Sequence, residues 1–118
     1  MPNREEVVIA WTTIPAEMDS RKFVAELLKD HLAACVSTFQ KVQSTYRWCG
    51  KIESAEEYAM MIKTTRTRVV SLKNRILELH THDVPEFVVT TVSGGHGPYL
   101  DWVQQETFAP PDLNNTDD

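Results

Sequence analysis

Apolar residues recur along this chain with two alternating periods. V-V-I-A-W-T-T at 7–13 is a β-branched run stopped by Pro15, the pattern of a buried strand. Phe23, Val24, Leu27, Leu28 and His31 then repeat at helical spacing, behind Asp19 or Ser20, either of which can cap a helix. From Ala34 to about Trp48 the Val, Thr, Phe and Tyr content predicts a second strand, Cys49-Gly50 a turn, and Ile52 to Thr64 a third strand. Thr65 or Thr67 is placed to cap a second helix, whose apolar stripe is Val69, Leu72, Ile76 and Leu79. Val84 to Val92 predicts a fourth strand. The loop G-G-H-G-P follows, and Pro98 suits the first turn of a short last helix through Y-L-D-W-V-Q-Q-E.

The predicted order is β-α-β-β-α-β followed by a short C-terminal helix. With right-handed crossovers this is an α+β, ferredoxin-like sandwich, two helices on one face of an antiparallel sheet. A single domain is expected over residues 6–109, with polar tails at 1–5 and 110–118. The hairpin joining the second and third strands is the anomaly. At ~3.3 Å per residue each arm would reach about 45 Å, more than so small a domain needs. Its distal part carries Tyr46, Trp48, Ile52 and Tyr58, and exposed apolar strands call for a cover. Neighbouring copies of the chain are the expected cover, in an obligate oligomer.

With 118 residues and 42% hydrophobic content, the chain can build one core and not two. Its net charge is −5, and no Lys/Arg cluster marks a nucleic-acid footprint. No early apolar run with a basic flank reads as a signal peptide, and no stretch approaches a membrane span, so a cytoplasmic protein is expected. Cys35 and Cys49 lie at opposite ends of one hairpin arm. A disulfide between them is ruled out on distance, which leaves two free thiols.

H-T-H-D-V-P-E-F at 80–87 carries the candidate chemistry. Neutral imidazoles at His80 and His82 suit copper, zinc or nickel, Asp83 can add an oxygen donor, and Cys35 can offer a soft thiolate. The competing reading places His80 at a helix C-terminus, where the dipole favours it, and Cys35 in the core. In the same reading Asp83 is a solvated charge and Glu86 a partner for Lys63 or Arg75. A ligand cleft is the second candidate, drawn from Tyr46, Trp48, Lys51, Glu57, Lys63 and Glu86. Alternation puts Glu57 and Lys63 on one strand face, as an ion pair or a ligand contact. Met60 and Met61 are consecutive, face opposite sides and form no methionine copper motif. G-G-H-G lacks the spacing and the lysine of a phosphate loop.

L-A-A-C-V (32–36), S-x-Y-x-W-x-G-K-I (44–52), E-x-x-x-M-I-K-T (57–64), H-x-x-D-V-P-E (80–86) and Y-L-x-W-V (99–103) together resemble the CutA divalent-cation-tolerance family, in the same order over about residues 7–107. The resemblance implies a homotrimer of ferredoxin-like subunits whose long hairpins wrap a neighbour. It implies a role in tolerance to divalent metal ions, copper first and zinc second, with no obligatory cofactor and no catalysis. Two rivals follow from it: a signalling trimer that binds small effectors between subunits, and a scaffold for protein partners. Family members carry Tyr where this chain has His82, commonly Pro at Thr81 and often Glu at Asp83. Copper ligation assigned in some bacterial members falls on Thr12 and Leu79-His80 here, of which only His80 is retained.

Overall fold

The computed structural model describes residues 5–108. Apart from Glu5, the tails expected at 1–5 and 110–118 lie outside the described residues. Glu5 itself is tied down: its carboxylate accepts from the Thr67 backbone N–H at 3.1 Å and its carbonyl from Gln104 Nε2.

Among the described residues five strands and three α-helices follow one another as β1 (Val7–Pro15), α1 (Ser20–Lys29), β2 (Cys35–Thr38), β3 (Val42–Trp48), β4 (Lys51–Thr65), α2 (Val69–Leu79), β5 (Val88–Thr91) and α3 (Gly97–Thr107). The sheet is antiparallel in the order β2-β4-β1-β5, with β3 continuing the line of β2 along β4. This is the predicted ferredoxin-like arrangement. Even-numbered residues of β1 and β4, among them Ala10, Ile14, Met60 and Ile62, bury against Phe23 and Leu27 of α1 and Leu72 and Ile76 of α2. α3 packs on the other face at the Val7–Thr65 end, where Thr65 and Thr107 hydroxyls meet at 3.0 Å.

Asp19 caps α1, accepting from the Lys22 N–H at 3.1 Å. His31 is not on the stripe of α1 but just past its end, in the left-handed conformation at φ 58°. Leu32 N–H bonds to Leu27 O and His31 N–H to Leu28 O, which is a Schellman stop normally made by glycine. Histidine takes the position because its Nδ1 reaches the Glu106 carbonyl at 2.9 Å, tying α1 to α3. Neither Thr65 nor Thr67 caps α2 with its side chain. A 3-10 turn, Arg66–Arg68, leads into it instead, and the Glu5 carboxylate serves the Thr67 N–H.

Two strands depart from expectation. The single strand foreseen over 34–48 is broken. Thr38 pairs with Met60 and Val42 with Glu57, so three residues, Phe39 to Lys41, oppose two. This β-bulge reverses the facing of every residue after it. Val42, Ser44, Tyr46 and Trp48 therefore share a face with Cys35 and Ser37. The fourth strand is four residues, Val88–Thr91, rather than 84–92. Pro85 offers no N–H for a ladder, and the Glu86 carbonyl is taken by the Thr12 hydroxyl at 2.7 Å.

Beyond Glu57 the β3–β4 hairpin runs past the end of β1 as a bare arm, roughly 20 Å long at ~3.3 Å per residue. No residue from Val42 to Glu56 is buried. Ile52 is 71% exposed, Trp48 45% and Tyr46 38%. The arm turns at Cys49 (φ 50°) and Gly50 (φ 77°), and positive φ at both centres marks a type I′ turn. Cysteine is strained there and Asn is favoured. A Cys49→Asn variant is expected to slow amide hydrogen exchange at Trp48 and Lys51 several-fold. Unchanged or faster exchange would show that the turn stores no strain. Cys35 and Cys49 are both free, as expected.

Candidate functional site

The face-reversal at the bulge builds one side of a cleft of about 650 Å3. Register places Ser44 opposite Ala55, Tyr46 opposite Glu53 and Val42 opposite Glu57, so hydroxyl, aromatic and carboxylate groups project from one face of the arm. Thr13, at the end of β1, lines the base. The joint between α2 and β5 forms the facing wall, contributing Thr81, His82, Asp83, Val84 and Glu86. No helix or strand hydrogen-bonding holds that joint, yet two residues clasp it to β1. The buried Thr12 hydroxyl donates to the Glu86 carbonyl. His80 does the rest.

His80 is buried where α2 ends. Its Nε2 lies 2.8 Å from the Thr13 carbonyl, which can only accept, so Nε2 carries the proton. Its Nδ1 accepts from the His82 backbone N–H at 3.0 Å. The ring is thus a neutral bridge with both nitrogens occupied. Burial pushes its pKa below the usual imidazole value. The Thr13 bond and the Glu57 charge work against that shift, and His82, whose ring centroid is 4.7 Å away, adds to it. A metal would have to displace a backbone bond to reach either nitrogen.

The candidate residues therefore fall into separate places. His82, Asp83 and Glu86 share the cleft with Tyr46, Trp48 and Glu57. His80 lies behind the cleft wall. Cys35 faces Lys63 across β2–β4, and Lys63 Nζ donates to Ser37 Oγ at 2.7 Å and lies 3.9 Å from Cys35 Sγ. The Tyr99 phenol is nearby, its pKa pushed up by burial and then by the thiol. Lys63 and Glu57 do share a strand face. Six residues separate them along β4, roughly 20 Å, so they are neither an ion pair nor parts of one pocket. Lys51, the register partner of Trp48, stands at the arm tip and does not line the cleft. Nor does Glu86 pair with Arg75, which binds Glu26 of α1 and Glu78 instead. Among the described residues no three His, Cys, Asp or Glu side chains converge as a metal cage, so His80, His82, Cys35 and Asp83 do not form one.

Sequence reasoning passed over Ser44 and Glu53, although both follow from Glu57 by strand alternation once the register is known. Thr13 carried no local signal, being one more β-branched residue in a strand.

A family model described as CutA1 divalent ion tolerance protein matches residues 8–106. The divalent-cation tolerance protein CutA of Thermus thermophilus is 37% identical over 103 residues, which is 87% of this chain and 98% of that protein. Protein CutA of Homo sapiens is 36% identical over 106 residues, covering 90% of this chain but 59% of the human sequence. The crystal structure of CutA from Xylella fastidiosa superposes with a TM-score of 0.84 at 34% identity, over 87% of this chain and 99% of that one. Among the described residues no helix is long and apolar enough to cross a membrane.

Proposed function

The chain belongs to the CutA1 divalent ion tolerance family, and from that membership we propose that it serves in the response to divalent metal ions as a non-catalytic, cytoplasmic homotrimer. The ion is cargo, held with modest affinity at the cleft. One observation carries the metal reading: His82, Asp83, Glu86, Glu53 and Glu57 surround one cavity that no Lys or Arg lines. A field of that sign concentrates cations. An imidazole beside carboxylates suits Cu(II) first and Zn(II) second. Because no three of these donors converge in one chain, the site is loose, and the affinity follows from that.

Assembly is supported by the arm. Tyr46, Trp48 and Ile52 stand in water on a hairpin whose own chain buries none of them. Light scattering at micromolar concentration is expected to return three times the chain mass; the mass of one chain would remove the homotrimer.

Calorimetric titration of untagged protein with Cu(II) is expected to saturate, and His82→Ala to abolish the heat. His80→Gln, which keeps a donor for Thr13, is expected to leave it in place. The opposite ranking of the two variants would move the site to His80 and overturn the assignment to His82.

A further inference from the structure

A thiol, an amine and two hydroxyls gather on the sheet face turned away from α1 and α2, outside the cleft. Cys35 and Lys63 are register partners across β2 and β4, so their side chains leave the sheet on the same side. Lys63 Nζ lies 3.9 Å from Cys35 Sγ and donates to Ser37 Oγ at 2.7 Å. The Tyr99 hydroxyl, carried by α3, stands against the same thiol. Cys35 and Lys63 are both half-buried. Among the described residues no carboxylate pairs with Lys63, so none fixes its amine as an ammonium.

These neighbours decide what oxidation does to the thiol. A half-buried sulfur admits an oxidant close to the size of water and shuts out a bulky thiol. With hydrogen peroxide, the sulfur sheds its proton and attacks one peroxide oxygen. The O–O bond breaks, the other oxygen leaves as water, and Cys35 becomes a sulfenic acid. A sulfenic acid condenses with a second thiol or with nitrogen. Cys49 is out of reach, because β4 from Lys51 to Lys63 separates the two thiols, about 40 Å at ~3.3 Å per residue. The amine of Lys63 is already beside the sulfur, on a flexible four-carbon stem. We propose that Cys35 and Lys63 are joined by a covalent sulfur–nitrogen bond when the protein meets hydrogen peroxide, stapling β2 to β4. Lys63 sheds a proton to solvent and its nitrogen attacks the sulfenic sulfur. The S–O bond breaks, and the oxygen leaves as water with a second proton from the nitrogen. Both peroxide oxygens end as water, the sulfur is oxidised, and the chain loses two hydrogen atoms. Two equivalents of a small thiol reverse the step, restoring the thiol and the amine and leaving one disulfide of the reductant. β2 is a four-residue strand at the sheet edge, paired to β4, so the staple bears on a short element with one neighbour in the sheet order. The proposal stands apart from the metal reading at the cleft.

Intact mass and peptide mapping of the full chain after treatment with hydrogen peroxide test it. The expected result is a loss of two hydrogen atoms, restored by dithiothreitol, with the Cys35 peptide joined to the Lys63 peptide. Cys49→Asn, which leaves Cys35 as the one thiol in the chain, is expected to give the same product. Lys63→Arg keeps the charge and removes the nucleophile, and is expected to gain oxygen atoms at Cys35 in place of the cross-link. A wild-type chain in which Cys35 gains oxygen without a cross-link, or stays unchanged while Cys49 oxidises, overturns the proposal. So does a loss of two hydrogens that persists in Lys63→Arg, which puts the bond on a backbone nitrogen, or one that disappears in Cys49→Asn, which makes it a disulfide. Should Lys63→Arg fail to fold, the peptide map of the wild-type chain decides alone.

Discussion

Replacing His80 with alanine is expected to cost about 2–4 kcal/mol of stability, since it strands two backbone groups and leaves a cavity. The Thr13 carbonyl loses its donor and the His82 N–H its acceptor. With both gone, the Thr12 hydroxyl is the one remaining side-chain hydrogen bond that holds the α2–β5 joint on β1 among the described residues. Urea unfolding at fixed protein concentration measures the loss. A cost within ±0.5 kcal/mol, as for an ordinary surface position, would mean the bridge is not made. A pH effect accompanies it. Burial holds the folded-state pKa of His80 below its unfolded value, about 6.5. Between those two values the unfolded chain binds a proton that the folded one refuses, so stability rises with pH there. The contribution is complete above about pH 6.5 and is lost as pH falls toward the lowered folded value. Protonation would also set an N–H at Nδ1 against the His82 N–H. His80→Gln, which does not titrate, should flatten that part of the profile, and a profile unchanged in slope would place the titration elsewhere.

Ile62→Ala is expected to cost about 2–5 kcal/mol, the range for emptying a fully enclosed aliphatic site. Ile62 lies on β4, which pairs with β1, β2 and β3, and its neighbours across the sheet are Ala10 and Val36. It sits under Leu72 and Ile76 with no exposed surface. Ala10 on one side is already small, so little can slide in to refill the space. Ile62→Val removes one methylene and should cost only about 0.5–1.5 kcal/mol. Equal losses for the two variants would show that the core relaxes around the hole.

The element order was legible because burial imposes periodicity. The sheet core alternates at two, the helices repeat at three to four, and Asp19 advertises a helix start. What escaped was parity. A run of β-branched and aromatic residues from Ala34 to Trp48 contains no glycine or proline to announce the extra residue at 39–41, so nothing local says that Tyr46 and Trp48 change sides. The short β5 escaped for another reason. Its start is set by hydrogen bonds from Thr12 and His80, residues that belong to other elements. The same clasp accounts for the histidines. A helix-end His with a second His two residues on resembles a ligand pair in one dimension. Only the fold shows that the first ring is spent on the backbone and that the second faces a cleft. Alternation puts Glu57 on the same strand face as Lys63, but it specifies a side and not a depth, so the burial of Glu57 shows only in the fold.

The placement of β1 also sets the order of events when the chain is made. Its two neighbours in the sheet are β4 and β5, with Val8 opposite both Thr64 and Thr91. The first strand of this sheet in chain order is therefore the last to have both edges paired, while the β3–β4 hairpin closes through a two-residue turn within microseconds. Until residue 91 has emerged, Val7 to Ile14 waits with an open edge. An unpaired apolar edge of that kind is a template for pairing with another chain, so slower synthesis of residues 65 to 91 prolongs the exposure.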